Sequence, residues 1–298
     1  MPIRWVDFCH SKVTKIPVYL TSEYSPHQIY RLNIKFRRGL FSHSQCKDMN
    51  IRSLLCAFLL LLFYTTARTQ SEKLITHQHL GWFRLYNHFN LGESWQWRCE
   101  IEERSFVFPQ AQHQFMARNH ISRKLGSGWS AALGFTYFIQ TLPQDPESMA
   151  PYPRPEIRPQ QELAFRRQVS RRLSLSHRSW LEERLQHNIG TNGELQPGYQ
   201  FSLRFRYLLK GQLTLLPRPT RKGRLDLQAF DEVFLNLGTT APTPLHLNLL
   251  GVSLSYGLTP NLALEAGYIN WLQPRSLPGT YYQRDIFRLT VHHYMSAR

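Results

Sequence analysis

From Tyr199 to Tyr207 the chain alternates without a break, with Tyr199, Phe201, Leu203, Phe205 and Tyr207 in one phase and Gln200, Ser202, Arg204 and Arg206 in the other. Successive side chains of a β-strand point to opposite faces, so this segment predicts a strand with one apolar and one polar face. The period of two recurs along the chain and predicts strands at 77–89, 94–106, 112–125, 128–140, 156–169, 172–187, 198–215, 225–237, 246–258, 261–271 and 284–295. In 94–106, Trp95, Trp97, Cys99 and Ile101 oppose Gln96, Arg98, Glu100, Glu102 and Arg104. In 172–187, Leu173, Leu175, Leu181 and Leu185 oppose Ser174, Ser176, Arg178, Trp180, Glu182 and Arg184. After residue 73 there is no amphipathic helix, heptad or repeat to compete with this reading.

Short and long connections alternate. Asn90 to Glu93, Gly126 to Gly128, Ser170-Arg171 and Thr259-Pro260 predict tight turns. Longer loops are expected at the Pro-rich stretch Leu142 to Pro159, at Asn188 to Gly198, at Gly238 to Leu245 and at Gln273 to Gln283. The expected fold is all-β: an antiparallel, up-and-down transmembrane β-barrel with lipid outside and a polar lumen. An antiparallel sheet closing on itself needs an even number of strands. Twelve are therefore expected, with one hidden near 70–80 or in 208–222, and ten is the alternative.

The segment beginning at Met49 adds a location. Arg52 supplies a positive start, Leu54 to Tyr64 a short apolar core, and Ala67 and Thr69 the small residues of a cleavage site. The apolar run is about half the roughly twenty residues of a spanning helix. A cleaved signal peptide is expected at 49–69, with 1–48 an upstream extension, Met49 the true start and 70–298 the barrel domain. Export and lipid-facing strands together predict the outer membrane of a Gram-negative cell.

Composition changes the picture little. Mean hydropathy is −0.39, as expected where only alternate strand residues face lipid, and the 13% aromatic content suits interfacial girdles. Of the +16 net charge, residues 1–69 contribute ten basic and three acidic residues. The remaining basic residues alternate with acids along strands instead of forming one patch, which argues against nucleic acid. Cys9, Cys46 and Cys56 precede the expected mature chain, so Cys99 stands alone, without a disulfide framework or thiolate cluster.

The polar phases place Arg98, Glu100, Glu102, Arg104, Arg178, Glu182, Arg184, Arg204, Arg206, Glu232 and Glu265 in the expected lumen. Three readings fit such a set: a salt-bridged interior that fills the barrel and fixes register, a pore lining that selects small ions or solutes, or an acid/base site. For the first, Glu182 is expected to neutralise Arg178, Arg184 or Arg204. Histidines are plentiful but lack metal-ligand spacing, and His292 and His293 point to opposite faces. There is no Gly-rich phosphate loop and no Gly-x-Ser-x-Gly elbow, so no catalytic residue, metal or cofactor is assigned.

Several segments resemble an uncharacterised outer-membrane β-barrel family common in Bacteroidetes, named only as a domain of unknown function. They are Gly81-Trp82-Phe83-Arg84-Leu85, His177-Arg178-Ser179-Trp180-Leu181-Glu182-Glu183-Arg184, Arg204-Phe205-Arg206-Tyr207, Asp231-Glu232-Val233-Phe234-Leu235-Asn236 and Glu265-Ala266-Gly267-Tyr268-Ile269-Asn270. The family's Asn-Arg pair is Asn248-Leu249 here, so one lumen arginine is expected to be missing. The chain also closes on His293-Tyr294-Met295-Ser296-Ala297-Arg298, with Tyr294 the nearest match to a terminal aromatic. The resemblance implies a barrel among outer-membrane lipids, folded by the barrel assembly machinery, and adds no activity. The expected role is a non-enzymatic structural or interaction barrel, or a small pore for an ion or solute. The alternative is an envelope enzyme acting on lipid or lipopolysaccharide.

Overall fold

The computed structural model describes residues 73–238 and 244–296. The extension 1–48 and the signal segment 49–69 lie outside the described residues, as do Cys9, Cys46 and Cys56. All strands fall in the unit Thr69–Arg298. They are β1 (Leu74–Asn90), β2 (Trp95–Phe106), β3 (Ala111–Gly126), β4 (Trp129–Leu142), β5 (Tyr152–Gln168), β6 (Leu173–Ile189), β7 (Leu195–Leu216), β8 (Leu225–Leu237), β9 (Leu245–Gly257), β10 (Leu262–Pro274) and β11 (Thr280–Ser296). Each strand pairs with its sequence neighbours, and β1 pairs with β11 to close a barrel.

The described strands number eleven, not twelve or ten. Each of the eleven alternating segments is a strand, and no strand forms between Leu216 and Leu225, one of the two places where a twelfth was sought. The expectation of an even count assumed an antiparallel seam. Instead, β1 and β11 run parallel, in register from Leu74 opposite Thr280 to Asn90 opposite Ser296. A parallel ladder bonds every backbone group as an antiparallel one does, with slanted bonds, so an odd barrel closes without an edge. One rim therefore carries Leu74 and the β2–β3, β4–β5, β6–β7 and β10–β11 connections. The second rim carries Ser296 and the β1–β2, β3–β4, β5–β6, β7–β8 and β9–β10 connections.

Three of the four expected long loops, those after β4, β6 and β10, are shorter than expected because hairpins extend into them. The stretch assigned to a Pro-rich loop up to Pro159 is half strand, since β5 begins at Tyr152. Proline tolerates extended backbone but lacks an N–H, and the β5–β6 ladder skips Arg158 and Pro159 between Ile157 opposite Leu185 and Gln160 opposite Glu182. Bulges are also legible as chemistry. One at Arg104/Ser105 turns both His113 and Gln114 inward. A close approach explains Gly134, where a Cβ would stand 1.7 Å from the His120 ring.

The two faces follow the alternation. Outside, Phe83, Ile101, Leu133, Phe135, Leu163, Phe201, Leu250, Leu254 and Phe287 are exposed on successive strands. Cys99, half-buried on β2, lies in the outward phase of that strand. Inside are the buried charges and one apolar cluster that the sequence reading missed. Leu80, Trp82, Phe106, Phe234, Leu247, Leu249, Ile269, Trp271 and Ile286 pack together on the β8–β2 side of the barrel. The Trp82 and Trp271 rings meet edge-on at 5.9 Å. Leu249, at the position where the lumen arginine was expected to be missing, belongs to this cluster, so an apolar contact takes that place.

Candidate functional site: a charge-braced lumen

All eleven charged residues picked out by alternation face the interior. Glu182, fully buried, accepts from Arg204 Nε at 2.5 Å and Arg206 Nη1 at 2.8 Å, with Gln160 Nε2 at 2.9 Å. Glu232 accepts from Arg206 Nη2 at 2.7 Å and Arg178 Nη2 at 2.9 Å. The chain of pairs Arg204–Glu182–Arg206–Glu232–Arg178 thus laces β6, β7 and β8 together. Of the three partners expected for Glu182, Arg204 is correct, while Arg178 binds Glu232 and Arg184 binds Glu156 at 2.6 Å. Arg98 binds Glu162 at 2.9 Å, Arg104 binds Glu102, and Glu265 binds Arg288 at 2.8 Å. Charge-assisted pairs of this kind are the strong hydrogen bonds of proteins, and removing one partner strands the other.

Trp180 is the hub of this lattice. The guanidinium carbons of Arg178, Arg206 and Arg118 lie 4.0, 4.3 and 4.7 Å from its ring centre. Its Nε1 donates to Glu162 at 2.5 Å. A planar cation over an aromatic face gains electrostatically, so one indole steadies three arginines.

Arg84, Arg118, Glu156, Arg158, Glu162 and Arg288 belong to the network and were not singled out from sequence. Arg118 binds Glu100 at 3.0 Å, and Arg158 binds Glu156 at 2.6 Å. Arg84 sits 3.5 Å from Glu100, 3.9 Å from Glu102 and 3.9 Å from Glu265. The signal existed: within the strand expected at 156–169, Glu156, Arg158, Gln160 and Glu162 alternate with Ile157, Pro159, Gln161 and Leu163, but the charges of that phase were not carried into the lumen set.

The lattice encloses a cavity of about 800 Å³. Its lining runs from Leu142, Gln144 and Gln186 near one rim to Gly128, Arg221 and Gly257 near the other. Fifteen Arg or Lys side chains line it against seven Asp or Glu. The uncompensated cations are not spread evenly. Arg284, fully buried, meets only neutral oxygens: Gln78 Oε1 at 2.7 Å, Gln273 Oε1 at 2.6 Å and Gln144 Oε1 at 2.8 Å. Through Gln144 the β4–β5 connection is anchored inside the first rim. Toward the second rim, Arg166 donates to Ser174 at 3.1 Å and Gln212 at 3.4 Å, and the Lys210 ammonium bonds to no described residue.

Histidines contribute one further arrangement. His292 Nε2 lies 3.3 Å from Glu265 Oε2, and its Nδ1 is 3.2 Å from His88 Nε2. No serine, threonine or cysteine is bonded to either ring, so the chain Glu265–His292–His88 holds protons but meets no nucleophile among the described residues. His293 faces outward to Asn87 at 3.3 Å, as expected of its neighbour's opposite phase. Tyr294 faces inward, stacked on His88 at 4.6 Å, and is not a lipid-facing terminal aromatic. No group of three or more metal-ligating residues occurs among the described residues.

No curated protein matches the chain. A solved structure of the NanC porin is similar over 64% of this chain and 85% of that one, at 10% identity and a TM-score of 0.40. The family model for DUF2490, described as a protein of unknown function, matches residues 80–281, from β1 to the start of β11. The chain therefore belongs to the DUF2490 family of proteins of unknown function.

Proposed function

We propose that this chain is a non-enzymatic outer-membrane β-barrel whose braced lumen is a narrow passage for small solutes. The observation that carries the reading is the inverted distribution of side chains. Exposed aromatic and aliphatic residues ring the outside of a closed barrel, while arginines and glutamates fill the inside. Water offers no reason to expose so much apolar surface, and a closed barrel meets the requirement that no backbone group be left unbonded in lipid. A cavity lined from rim to rim favours passage over a purely structural barrel. In this reading the chain is exported under the leader at 49–69, folded by the barrel assembly machinery and surrounded by outer-membrane lipid.

Two measurements test it. Phe135, exposed near the middle of β4, is replaced by arginine and folding into vesicles is titrated with urea. A lipid-facing position loses about 2–4 kcal/mol, whereas a water-facing one changes by no more than about 0.5 kcal/mol. Purified protein in liposomes should carry current; silence at every voltage leaves a structural barrel. The envelope-enzyme alternative rests on Glu265–His292–His88, and an unchanged lipid profile in a deletion strain removes it.

A further inference from the structure

We propose that the lumen holds a binding site for a small oxyanion, centred on Lys210 and Arg166, and that this site makes the passage prefer anions to cations. The proposal deepens the reading of the lumen as a passage and rests on it for the transport half alone. Lys210 on β7 stands opposite Ser176 on β6, and Ser176 stands opposite Arg166 on β5. The two cations therefore share one row of the inner wall. Two strand spacings separate their backbones, about 10 Å, a span that two long side chains can close upon one ligand. Both line the cavity.

Elsewhere in the lumen a buried cation has a carboxylate or a set of amide oxygens. In this row the half-buried Lys210 has neither, and Arg166 is exposed. Beyond its place in the β6–β7 and β7–β8 ladders, the Lys210 side chain makes no hydrogen bond or ion pair with any described residue. The charged groups around it are Glu265, Arg178, Arg166 and Arg84, and Glu265 is already held by Arg288 at 2.8 Å and His292 at 3.3 Å. Arg166 spends its bonds on a hydroxyl and an amide. Next along β6, Arg178 keeps a buried Nε with no partner. A cation confined between low-dielectric walls focuses field on whatever can enter, and Arg or Lys linings favour anions in pores. The pairing of a point-charge ammonium with a planar guanidinium fork suits a phosphate or carboxylate group. The seven acids of the lining are engaged by arginines in the lattice and in Arg224–Asp226, so they do not cancel this row.

The test uses the full barrel and the double variant Lys210→Gln, Arg166→Gln. In a planar bilayer under a KCl gradient, wild type should reverse at a potential of the chloride sign, and the double variant should reverse closer to zero. In parallel, calorimetry of the detergent-solubilised barrel with inorganic phosphate should show saturable binding, weakened about tenfold or more in the double variant. Current with no anion preference, or a preference unchanged in the variant, overturns the selectivity. Phosphate binding that is absent, or equal in both proteins, overturns the site. Absence of any current with phosphate binding intact defeats the passage and leaves the site standing. Coincident thermal melts of the two proteins establish that the variant is folded.

Discussion

The middle of the lumen and its Lys210 row contain the same kinds of cation in opposite circumstances. Around Trp180, each of Arg204, Arg206 and Arg178 has a carboxylate within about 3 Å and an aromatic ring against its face. At Lys210 and Arg166 the facing residues are Ser174, Ser176 and Gln212. What separates the two regions is whether a carboxylate from a nearby strand comes within reach of the cation. A glutamate within reach makes the cation a brace; hydroxyl and amide neighbours leave its charge without a counter-ion. Positive residues lining a barrel are thus two populations, one spent on architecture and one not.

Substitutions can break that contrast in order of expected effect. Glu182→Gln leaves Arg204 and Arg206 without one of their acids in a confined interior, so it should cost about 3–5 kcal/mol. Urea unfolding of the barrel in detergent or vesicles reads this directly, and a loss below about 1 kcal/mol would mean that the lattice does not brace the fold. Trp180→Phe keeps a ring under the arginines but removes the donor to Glu162. It should cost about 1.5–3 kcal/mol, the range of a hydrogen bond to a charged group, with Arg98 still bound to that acid. Lys210→Gln should shift stability by no more than about 0.5 kcal/mol, since it breaks no bond to protein. Were it to destabilise as much as Glu182→Gln, the two regions would be one, and the distinction between braces and available charges would fall.

Much of this was legible in the sequence. Phase alone put Glu182 and Arg206 inside and Phe201 and Tyr207 outside, because a strand allows no other arrangement. Partner choice was not legible, since it depends on register between strands: Glu182 meets Arg204 and Arg206, while Arg184, two residues away, turns to Glu156 on β5. The apolar cluster was hidden for another reason. Ile269 and Trp271 share the phase of Glu265, but a strand apolar on both faces gives no alternation to read. The strand count failed on a premise about closure, not on the segments themselves.

The parallel seam has a consequence of its own. A barrel with an even number of strands returns its chain to the rim it left, and both flanks then share one compartment. Here Leu74 and Ser296 stand on opposite rims. If the barrel spans a bilayer, a peptide tag placed just before Leu74 and one placed just after Ser296 face different aqueous phases. An impermeant antibody or protease applied to intact cells should reach one and spare the other, giving the barrel a head and a tail.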